Sequence, residues 1–350
     1  MGDQTRDGVT IDGQLGQDRI VTDQIVNEWF PVATCADVAP GTMYPFRLLD
    51  RRYVLLHATD GSVTVFEDIC PHRGAQLSLG SFDGNKVQCP YHGWEFAAAG
   101  NCVFRPAHPS MPIPDGCALT RVRVQRAYDL YWVCTGPEPR NLPTYGAFSE
   151  RPGLTVVLGP KPLNACGPRI VENFLDVAHF PYVHADYLGQ VPHTEVRDYD
   201  VSVVGQELHA TNVIAWQPKP GPTSTEGGDV AYVYAVSHPY AAILTKVPTE
   251  ADGGELGAFS LLLVASPEDE TNCRVWMLTT INDPDGDLQS FLDFNTVIFE
   301  QDVDIVESQL PKRLPIDPRL EMHQRADRMS LAYRRWLADR GIRYGTTLNS

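Results

Sequence analysis

Three classes of protein are excluded by what this sequence lacks. Its 350 residues include only eight cysteines, too few for a disulfide-stabilised secreted scaffold. Lys and Arg number 28 against 44 Asp and Glu, and the net charge of -16 argues against nucleic acid as a partner. No apolar run reaches the roughly 18 residues of a membrane span. The first residues lack the basic and apolar regions of a secretory signal, so we expect a cytoplasmic protein.

Composition and turn signals divide the chain into an arm and two domains. Hydrophobic residues make up 43% of the sequence, enough for a substantial core. Residues 1–26 are rich in Asp, Gln and Gly and are predicted to form a loose arm. Residues 27–137 contain short alternating strands, with a hairpin around Asp60-Gly61, and are predicted to form an all-β domain. Four prolines between positions 135 and 153 indicate the joint to a second domain, residues 138–350.

The second domain combines long strands with helical segments. The stretches YDVSVVGQELHATNVIAW, VAYVYAVSHPYAAILTKV and GAFSLLLVAS are typical of strands in an antiparallel sheet. Helices are predicted over residues 169–180, 288–309 and 321–340. Strands followed by a long helix indicate an α+β fold.

Two short loops in the first domain each contain one cysteine and one histidine. They read CPHRG and CPYHGW, with Cys70 and His72 in the first, Cys89 and His92 in the second, and sixteen residues between His72 and Cys89. Zinc is one candidate for such a ligand set, but zinc knuckles usually pair Cys with Cys and His with His. One thiolate and one imidazole from each loop favour a two-iron cluster, with both cysteines on one iron and both histidines on the other.

The stretch VENFLDVAHFPYVH predicts a second metal site. We expect Asp176 and His179, three residues apart, to share one face of a helix. His184 would point elsewhere on a continuous helix, so Pro181 is predicted to break the helix and return His184 to the side of His179. Asn173 is predicted to face the same side and to orient a water molecule, and Glu172 is predicted to be solvated.

A carboxylate is the expected third ligand beside two histidines at a site with open positions. The predicted helix 288–309 contains five acidic residues, and only Asp302 falls within its apolar stripe. A buried carboxylate needs a partner, and a metal ion supplies one. Asp302 is therefore the predicted ligand, with Asp304 as the alternative.

These motifs together resemble the oxygenase components of Rieske non-heme iron oxygenases. The segments NEWFPV, CPYHGW, ENFLDVAHF and ESQLPK occur in the order that the family shows. The resemblance implies a Rieske [2Fe-2S] domain followed by an antiparallel-sheet catalytic domain that grips a long helix. It implies a mononuclear Fe(II) at His179, His184 and Asp302, and a link from Asp176 to His179 and to a cluster histidine of a neighbouring subunit in a homotrimer.

The same resemblance implies the reaction. A reductase, with or without a ferredoxin, is expected to pass electrons from NAD(P)H to the cluster, and O2 is expected to react at the iron. Length and C-terminal pattern are similar to the vanillate and dicamba O-demethylases and the methylxanthine N-demethylases, which implies demethylation or monooxygenation of a small aromatic or heterocyclic compound. The alternatives are hydroxylation of a biosynthetic intermediate, a Rieske electron carrier and a zinc-stabilised binding protein. Four aromatic residues are expected either to line the substrate pocket or to belong to the core: Tyr232, Tyr234, Trp276 and Phe294.

Overall fold

The computed structural model describes residues 23–221, 224–247 and 258–348. The predicted α+β class is confirmed, because an N-terminal β domain precedes an antiparallel sheet with helices. The predicted N-terminal arm lies mostly outside the described ranges. Its last residues form the 3-10 helix Gln24–Asn27, in which Ile25 is fully buried.

The N-terminal domain consists of two antiparallel sheets. Its strands are β1 Phe30–Thr34, β2 Thr42–Leu48, β3 Arg51–His57, β4 Val63–Glu67, β5 Ser81–Phe82, β6 Lys86–Gln88, β7 Glu95–Ala97, β8 Cys102–Phe104, β9 Arg121–Ala127 and β10 Leu130–Cys134. The larger sheet has the order β1-β10-β9-β4-β3-β2, and the smaller one has the order β5-β6-β7-β8. The predicted hairpin is confirmed, since β3 pairs with β4 across a turn in which Gly61 has a φ of +85°. The second Cys/His loop connects β6 to β7 of the smaller sheet, and the first lies between β4 of the larger sheet and β5 of the smaller one.

The second domain is built on one seven-stranded antiparallel sheet. Its strands are β11 Thr155–Leu163, β12 Asp200–Val204, β13 Glu207–Gln217, β14 Gly228–His238, β15 Ala241–Val247, β16 Phe259–Asp269 and β17 Asn272–Ile281. They lie in the order β11-β17-β16-β15-β14-β13-β12. The three stretches predicted as strands are therefore confirmed. Hairpin connections explain why β12 to β17 are neighbours both in sequence and in the sheet, whereas β11 pairs with β17 at the other end of the order.

In the part of the chain that the structure describes, five α-helices accompany this sheet: α1 Gly146–Glu150, α2 Gly167–Phe174, α3 Phe180–Val183, α4 Leu288–Ser308 and α5 Arg328–Asp339. The long helix α4 confirms the prediction over residues 288–309. It begins where the Asp287 carboxylate accepts the N–H groups of Gln289 and Ser290, and it packs against β11 and α2.

The helix predicted over residues 169–180 is wrong in its second half. Helix α2 ends at Phe174, and the chain turns before α3 begins at Phe180. Pro181 lies in the first turn of α3, where its missing N–H costs no hydrogen bond. The proline therefore helps to begin a helix rather than break one.

The helix predicted over residues 321–340 begins later than expected. Residues before Arg328 form a separate 3-10 turn, in which the Asp327 carboxylate accepts the backbone N–H of Gln324. Side-chain capping of this kind competes with continuous helix.

Two of the four aromatic residues that were expected either to line the pocket or to belong to the core are core residues. Tyr234 and Trp276 are buried in the core, with exposed fractions of 1% and 0%. A buried Tyr145 hydroxyl joins the linking segment to the sheet: its oxygen lies 2.7 Å from the Ser260 carbonyl oxygen and 2.9 Å from that of Leu278, and its one hydrogen is available to either. Within the described ranges, no helix is both long and apolar enough to cross a membrane.

Candidate metal centres

The two Cys/His loops fold alike at the backbone. In the first loop, Gly74 N–H donates to the Cys70 carbonyl, while Cys70 N–H donates to Ala75. In the second, Gly93 N–H donates to the Cys89 carbonyl, while Cys89 N–H donates to the Trp94 carbonyl. Both glycines adopt positive φ, +74° and +67°, a conformation that suits glycine. The sequence therefore builds two matching tight turns.

The side chains of these loops converge. Cys70 and Cys89 are buried, with exposed fractions of 1% and 2%, and the rings of His72 and His92 lie 4.5 Å apart. His72 Nδ1 is buried, yet it has no hydrogen-bond partner among the described residues. The Trp94 ring stacks on His72 at 4.5 Å and an interplanar angle of 7°. An imidazole held by stacking, with a buried unpaired nitrogen, suits a metal ligand.

Ionisation of the Cys70 thiol is unfavourable in the protein alone. Burial raises the pKa of Cys70 to about 11, and the nearby Cys89 thiol contributes to the same direction. A buried thiolate pair would need a compensating cation, as in a metal or iron-sulfur site. The donor set therefore fits an iron-sulfur cluster.

The second candidate centre begins at the turn between α2 and α3. Asp176 lies two residues beyond the end of α2, and its Oδ1 accepts the Ala178 N–H at 2.8 Å. His179 is the N-cap residue of α3. The prediction that Asp176 and His179 share a helix face is therefore wrong, although their side chains do meet: Asp176 Oδ2 and His179 Nδ1 are 3.2 Å apart.

Three predicted ligand atoms meet at this turn. The Nε2 atoms of His179 and His184 lie 3.2 Å apart, and Asp302 Oδ1 lies 3.6 Å from the first and 3.4 Å from the second. Asp302 Oδ1 is buried and accepts no hydrogen bond within the part of the chain that the structure describes. The alternative Asp304 is exposed and does not join this group. Two imidazoles and one carboxylate with free coordination space fit a divalent iron ion.

Sequence reasoning missed one contact of this group. Gln301 Oε1 lies 2.9 Å from His184 Nδ1, so both histidines have a polar partner behind the ring. Gln301 precedes Asp302 directly, and this adjacency is the signal that was available in the sequence.

An apolar cavity of about 90 Å³ lies against the three ligand atoms. Asn173, Asn295 and Tyr232 supply polar groups to a wall that is otherwise formed largely by apolar side chains, among them Leu163, Ile170, Phe174, Leu244, Leu263 and Met277. Asn173 thus faces the site, as predicted for its side of the helix. Tyr232 and Phe294, the other two open aromatic residues, line this cavity and also an adjoining chamber of about 420 Å³.

Glu172 is buried, and the prediction that it is solvated is wrong. The Arg334 guanidinium donates to both of its carboxylate oxygens, at 2.6 and 2.8 Å. Glu321 joins Arg334 at 2.5 Å and Arg169 at 2.7 Å. Burial raises the pKa of Glu172, and the two arginines oppose that rise. Its partner lies 162 residues away, so the sequence around Glu172 contains no sign of the pairing.

Comparison with known families accounts for most of the chain. Residues 28–121 match the Rieske [2Fe-2S] domain, and residues 163–341 match the vanillate O-demethylase oxygenase C-terminal domain. The first match contains both Cys/His loops, and the second contains the segment and the helix that bring the three ligand atoms together.

Individual relatives give the same result. The probable methylxanthine N7-demethylase NdmC of Pseudomonas sp. (strain TJI-51) is 39% identical over 222 residues, 63% of this chain and 78% of that protein. The methylxanthine N1-demethylase NdmA of Pseudomonas putida is 27% identical over 323 residues, 89% of this chain and 88% of that protein. The solved structure of NdmA from Pseudomonas putida CBB5 with caffeine has a TM-score of 0.75 at 27% identity, covering 89% of this chain and 90% of that chain.

The resemblance seen in the sequence motifs is confirmed by these matches. A Rieske domain followed by this C-terminal domain is the arrangement of an oxygenase rather than of an electron carrier or a zinc-stabilised binding protein. The chain therefore belongs to the Rieske non-heme iron oxygenases that carry the vanillate O-demethylase C-terminal domain.

Proposed function

We propose that this oxygenase holds a mononuclear Fe(II) at His179, His184 and Asp302 and hydroxylates a methyl group of a small aromatic or heterocyclic substrate. The observation that carries the proposal is the convergence of the three ligand atoms, which all lie within 4.8 Å of one another at the wall of an apolar cavity. The unpaired buried oxygen of Asp302 supports a cation at this point, because a buried carboxylate without a partner is costly.

We propose that Cys70 and Cys89 hold one iron of a [2Fe-2S] cluster and that His72 and His92 hold the other. The buried thiols, the unpaired His72 Nδ1 and the two matching turns support this assignment. When bound, the cluster supplies electrons one at a time and the mononuclear iron activates O2 for attack on a C–H bond.

The protein's own residues prepare the second site. Asp176 Oδ2 accepts from His179 Nδ1, which fixes the tautomer and leaves Nε2 as the ligand atom. The apolar walls exclude bulk water and hold a planar ring by contact area. We propose that Asn173, in the cavity wall, orients a water molecule or a polar substrate atom beside the ligands.

We propose oxidative demethylation as the reaction. Insertion of one oxygen atom of O2 into an N–CH3 or O–CH3 group, with two electrons and two protons, gives a hydroxymethyl group and water. The hydroxymethyl group then releases formaldehyde and leaves N–H or O–H. The named activities of NdmC and NdmA on methylxanthines support heterocyclic N-methyl substrates for this chain.

Formaldehyde release tests this proposal. Purified protein with iron, a reductase, NAD(P)H and O2 is incubated with caffeine, theophylline and methoxybenzoates in separate reactions. We expect at least one substrate to yield formaldehyde in proportion to the substrate consumed, and we expect the His179→Ala variant to yield none. A panel of methylated aromatics and heterocycles that is never consumed, or turnover that persists without His179, would overturn the proposal.

We further propose a cytoplasmic homotrimer that receives its electrons from an NAD(P)H-dependent reductase, with or without a ferredoxin. Exposed aromatic side chains support contacts near both centres: Tyr91, beside the cluster loop, is 61% exposed, and Tyr182, between the two site histidines, is 68% exposed. Residues 27–137 and 138–350 are the proposed domains. Light scattering after gel filtration is expected to give three times the chain mass, and a fully active monomer would contradict the trimer.

A further inference from the structure

The contact behind His184 determines which of its ring nitrogens is free. His184 is buried, with an exposed fraction of 1%, and its Nδ1 lies 2.9 Å from Gln301 Oε1. A neutral imidazole carries one hydrogen, so a hydrogen bond donated from Nδ1 leaves the lone pair on Nε2. That Nε2 is the atom that faces His179 Nε2 and Asp302 Oδ1.

Gln301 and Asp302 reach the same site from consecutive positions on α4. Asp302 Oδ1 faces the Nε2 atom of His184, and Gln301 Oε1 faces the Nδ1 atom of the same ring. One helix therefore supplies both a predicted ligand and the support of a second ligand from another segment. Any shift of α4 moves both groups together.

The two histidines differ in the charge of their partners. His179 faces a carboxylate, Asp176, whereas His184 faces a neutral amide. A divalent cation with Asp302 and Asp176 nearby already gives a site without net charge. A neutral acceptor at position 301 orients His184 without adding a third negative charge.

We propose that Gln301 is the positioning residue of His184: its amide oxygen holds the ring with hydrogen on Nδ1 and Nε2 directed at the metal. This inference rests on the proposed function, because it assumes that the three ligand atoms hold an iron ion. It adds a residue that the ligand set does not include and that acts only through His184.

Metal affinity tests this role without relying on turnover. Full-length protein with its cluster is freed of mononuclear iron and titrated with Fe(II) under anaerobic conditions. Bound iron is measured by the electron paramagnetic resonance signal that nitric oxide gives with the high-spin ferrous ion. Gln301→Leu is expected to weaken Fe(II) binding by about 10- to 100-fold, as for other partners behind a metal ligand.

Two further variants separate positioning from a general loss of structure. Gln301→Glu retains an oxygen acceptor and is expected to bind Fe(II) at least as tightly as the unchanged protein. Gln289→Leu removes the same residue type from the exposed start of α4, where the Gln289 side-chain amide donates to Asp293, and is expected to leave the affinity for Fe(II) unchanged. The visible spectrum of the cluster reports whether each variant is folded.

Each outcome bears on one of the two proposals. An unchanged protein that gives no ferrous nitrosyl signal at any iron concentration overturns the proposed iron site. A normal signal with equal affinity in Gln301→Leu overturns the role of Gln301 alone. If the leucine variant does not fold, Gln301→Glu still decides, because a tenfold loss of affinity with an acceptor present would contradict the assignment.

Discussion

At the residue level, Asp302 and Asp304 were both candidates for the third ligand, and their spacing in the sequence alone did not decide between them. Asp302 has its Oδ1 buried beside the two imidazoles, whereas Asp304, on the same helix, is exposed. The Asp302→Ala change is expected to abolish binding of the mononuclear iron and to lower product formation by more than about 100-fold, since even partners behind a ligand cost 10- to 100-fold. Metal analysis and formaldehyde assays measure these effects.

Asp304→Ala is the matched control for this experiment. It removes a carboxylate from the same helix and is expected to leave iron content and turnover almost unchanged. If the Asp304 variant lost its iron and the Asp302 variant kept it, the assignment of the third ligand would be reversed.

At the residue level, the sequence identified side chains that the structure brings together as proposed ligands, but it did not identify the polar groups behind them. Local patterns predicted the residues of both Cys/His loops, and the positions of His179, His184 and Asp302 near one another. The contact of Gln301 with His184 and the pairing of Glu172 with Arg334 were not predicted. Both join distant segments, as the ligand set does, but a two-histidine site calls for a carboxylate ligand and does not by itself call for either of these contacts. Helix periodicity describes one segment and contains no information about which distant segment packs on it.

At the level of elements, the segment from α2 to α3 replaces the predicted broken helix. Pro181 lies in the first turn of α3, where proline fits the backbone. Pro181→Ala is therefore expected to lower the free energy of unfolding by about 1 kcal/mol, through the freer unfolded chain. Fe(II) affinity is expected to fall by less than about tenfold, the lower limit for losing a group that supports a ligand.

Pro318→Ala offers a comparison, because Pro318 is exposed in the first turn of another short helix. Chemical unfolding and iron titration of both variants make the measurement. Complete loss of iron in Pro181→Ala alone would restore the hypothesis that the proline brings the two histidines together.

The buried pairs of Glu172 and Glu321 with Arg334 and Arg169 fasten α5 to α2. Glu172→Gln leaves two buried guanidinium groups with one carboxylate, so the free energy of unfolding is expected to fall by about 3 kcal/mol. Guanidinium chloride unfolding measures the change. Asp129→Asn, which removes the acid of an exposed pair with Arg126, is expected to cost less than about 0.5 kcal/mol.

A double replacement tests whether the loss arises from unbalanced charge. Glu172→Met combined with Arg334→Met leaves Glu321 paired with Arg169 and is expected to recover most of the lost stability. If the double variant were less stable than Glu172→Gln, specific geometry rather than charge balance would be responsible.

At the scale of the whole molecule, the buried carboxyl group of Glu28 contacts ionisable side chains of the linking segment and of the second domain. Its carboxylate lies 3.3 Å from Arg140 Nε in the linking segment and 3.7 Å from His238 Nε2 on β14. Burial raises the pKa of Glu28 to about 7, against the opposing effects of Arg140 and Arg340, and burial lowers the pKa of His238 to about 3. Because the two pKa shifts are opposite in sign, the contributions of the two groups to the free energy of unfolding change with pH in opposite directions.

The Glu28→Gln variant isolates one of these responses. A raised carboxyl pKa favours the folded state below the unfolded value of 4.5, and this contribution is lost as pH rises toward 7. The free energy of unfolding of Glu28→Gln, relative to the unchanged protein, is expected to increase by about 2 kcal/mol between pH 4.5 and 7. Glu138→Gln, at an exposed neighbouring position, is the control. A difference that falls with pH would contradict the prediction.

The overall architecture was more predictable than the contacts between the domains. Alternating strands, turn residues and one long amphipathic helix predicted the N-terminal β domain, the antiparallel sheet of the second domain and α4, because each depends on local periodicity. The Glu28 contacts and the Tyr145 hydrogen bonds to the sheet depend on how the two domains pack against each other. A short sequence pattern does not predict which distant residues come into contact in this way.

The order in which the three proposed iron ligands leave the ribosome has a consequence for how the enzyme matures. Gln301 follows His184 by 117 residues, and Asp302 comes one residue later. A growing polypeptide therefore exposes two imidazoles long before the carboxylate and its helix are synthesised. Cells starved of iron should accumulate a complete apoprotein, and adding ferrous salt after translation has been blocked should restore its activity.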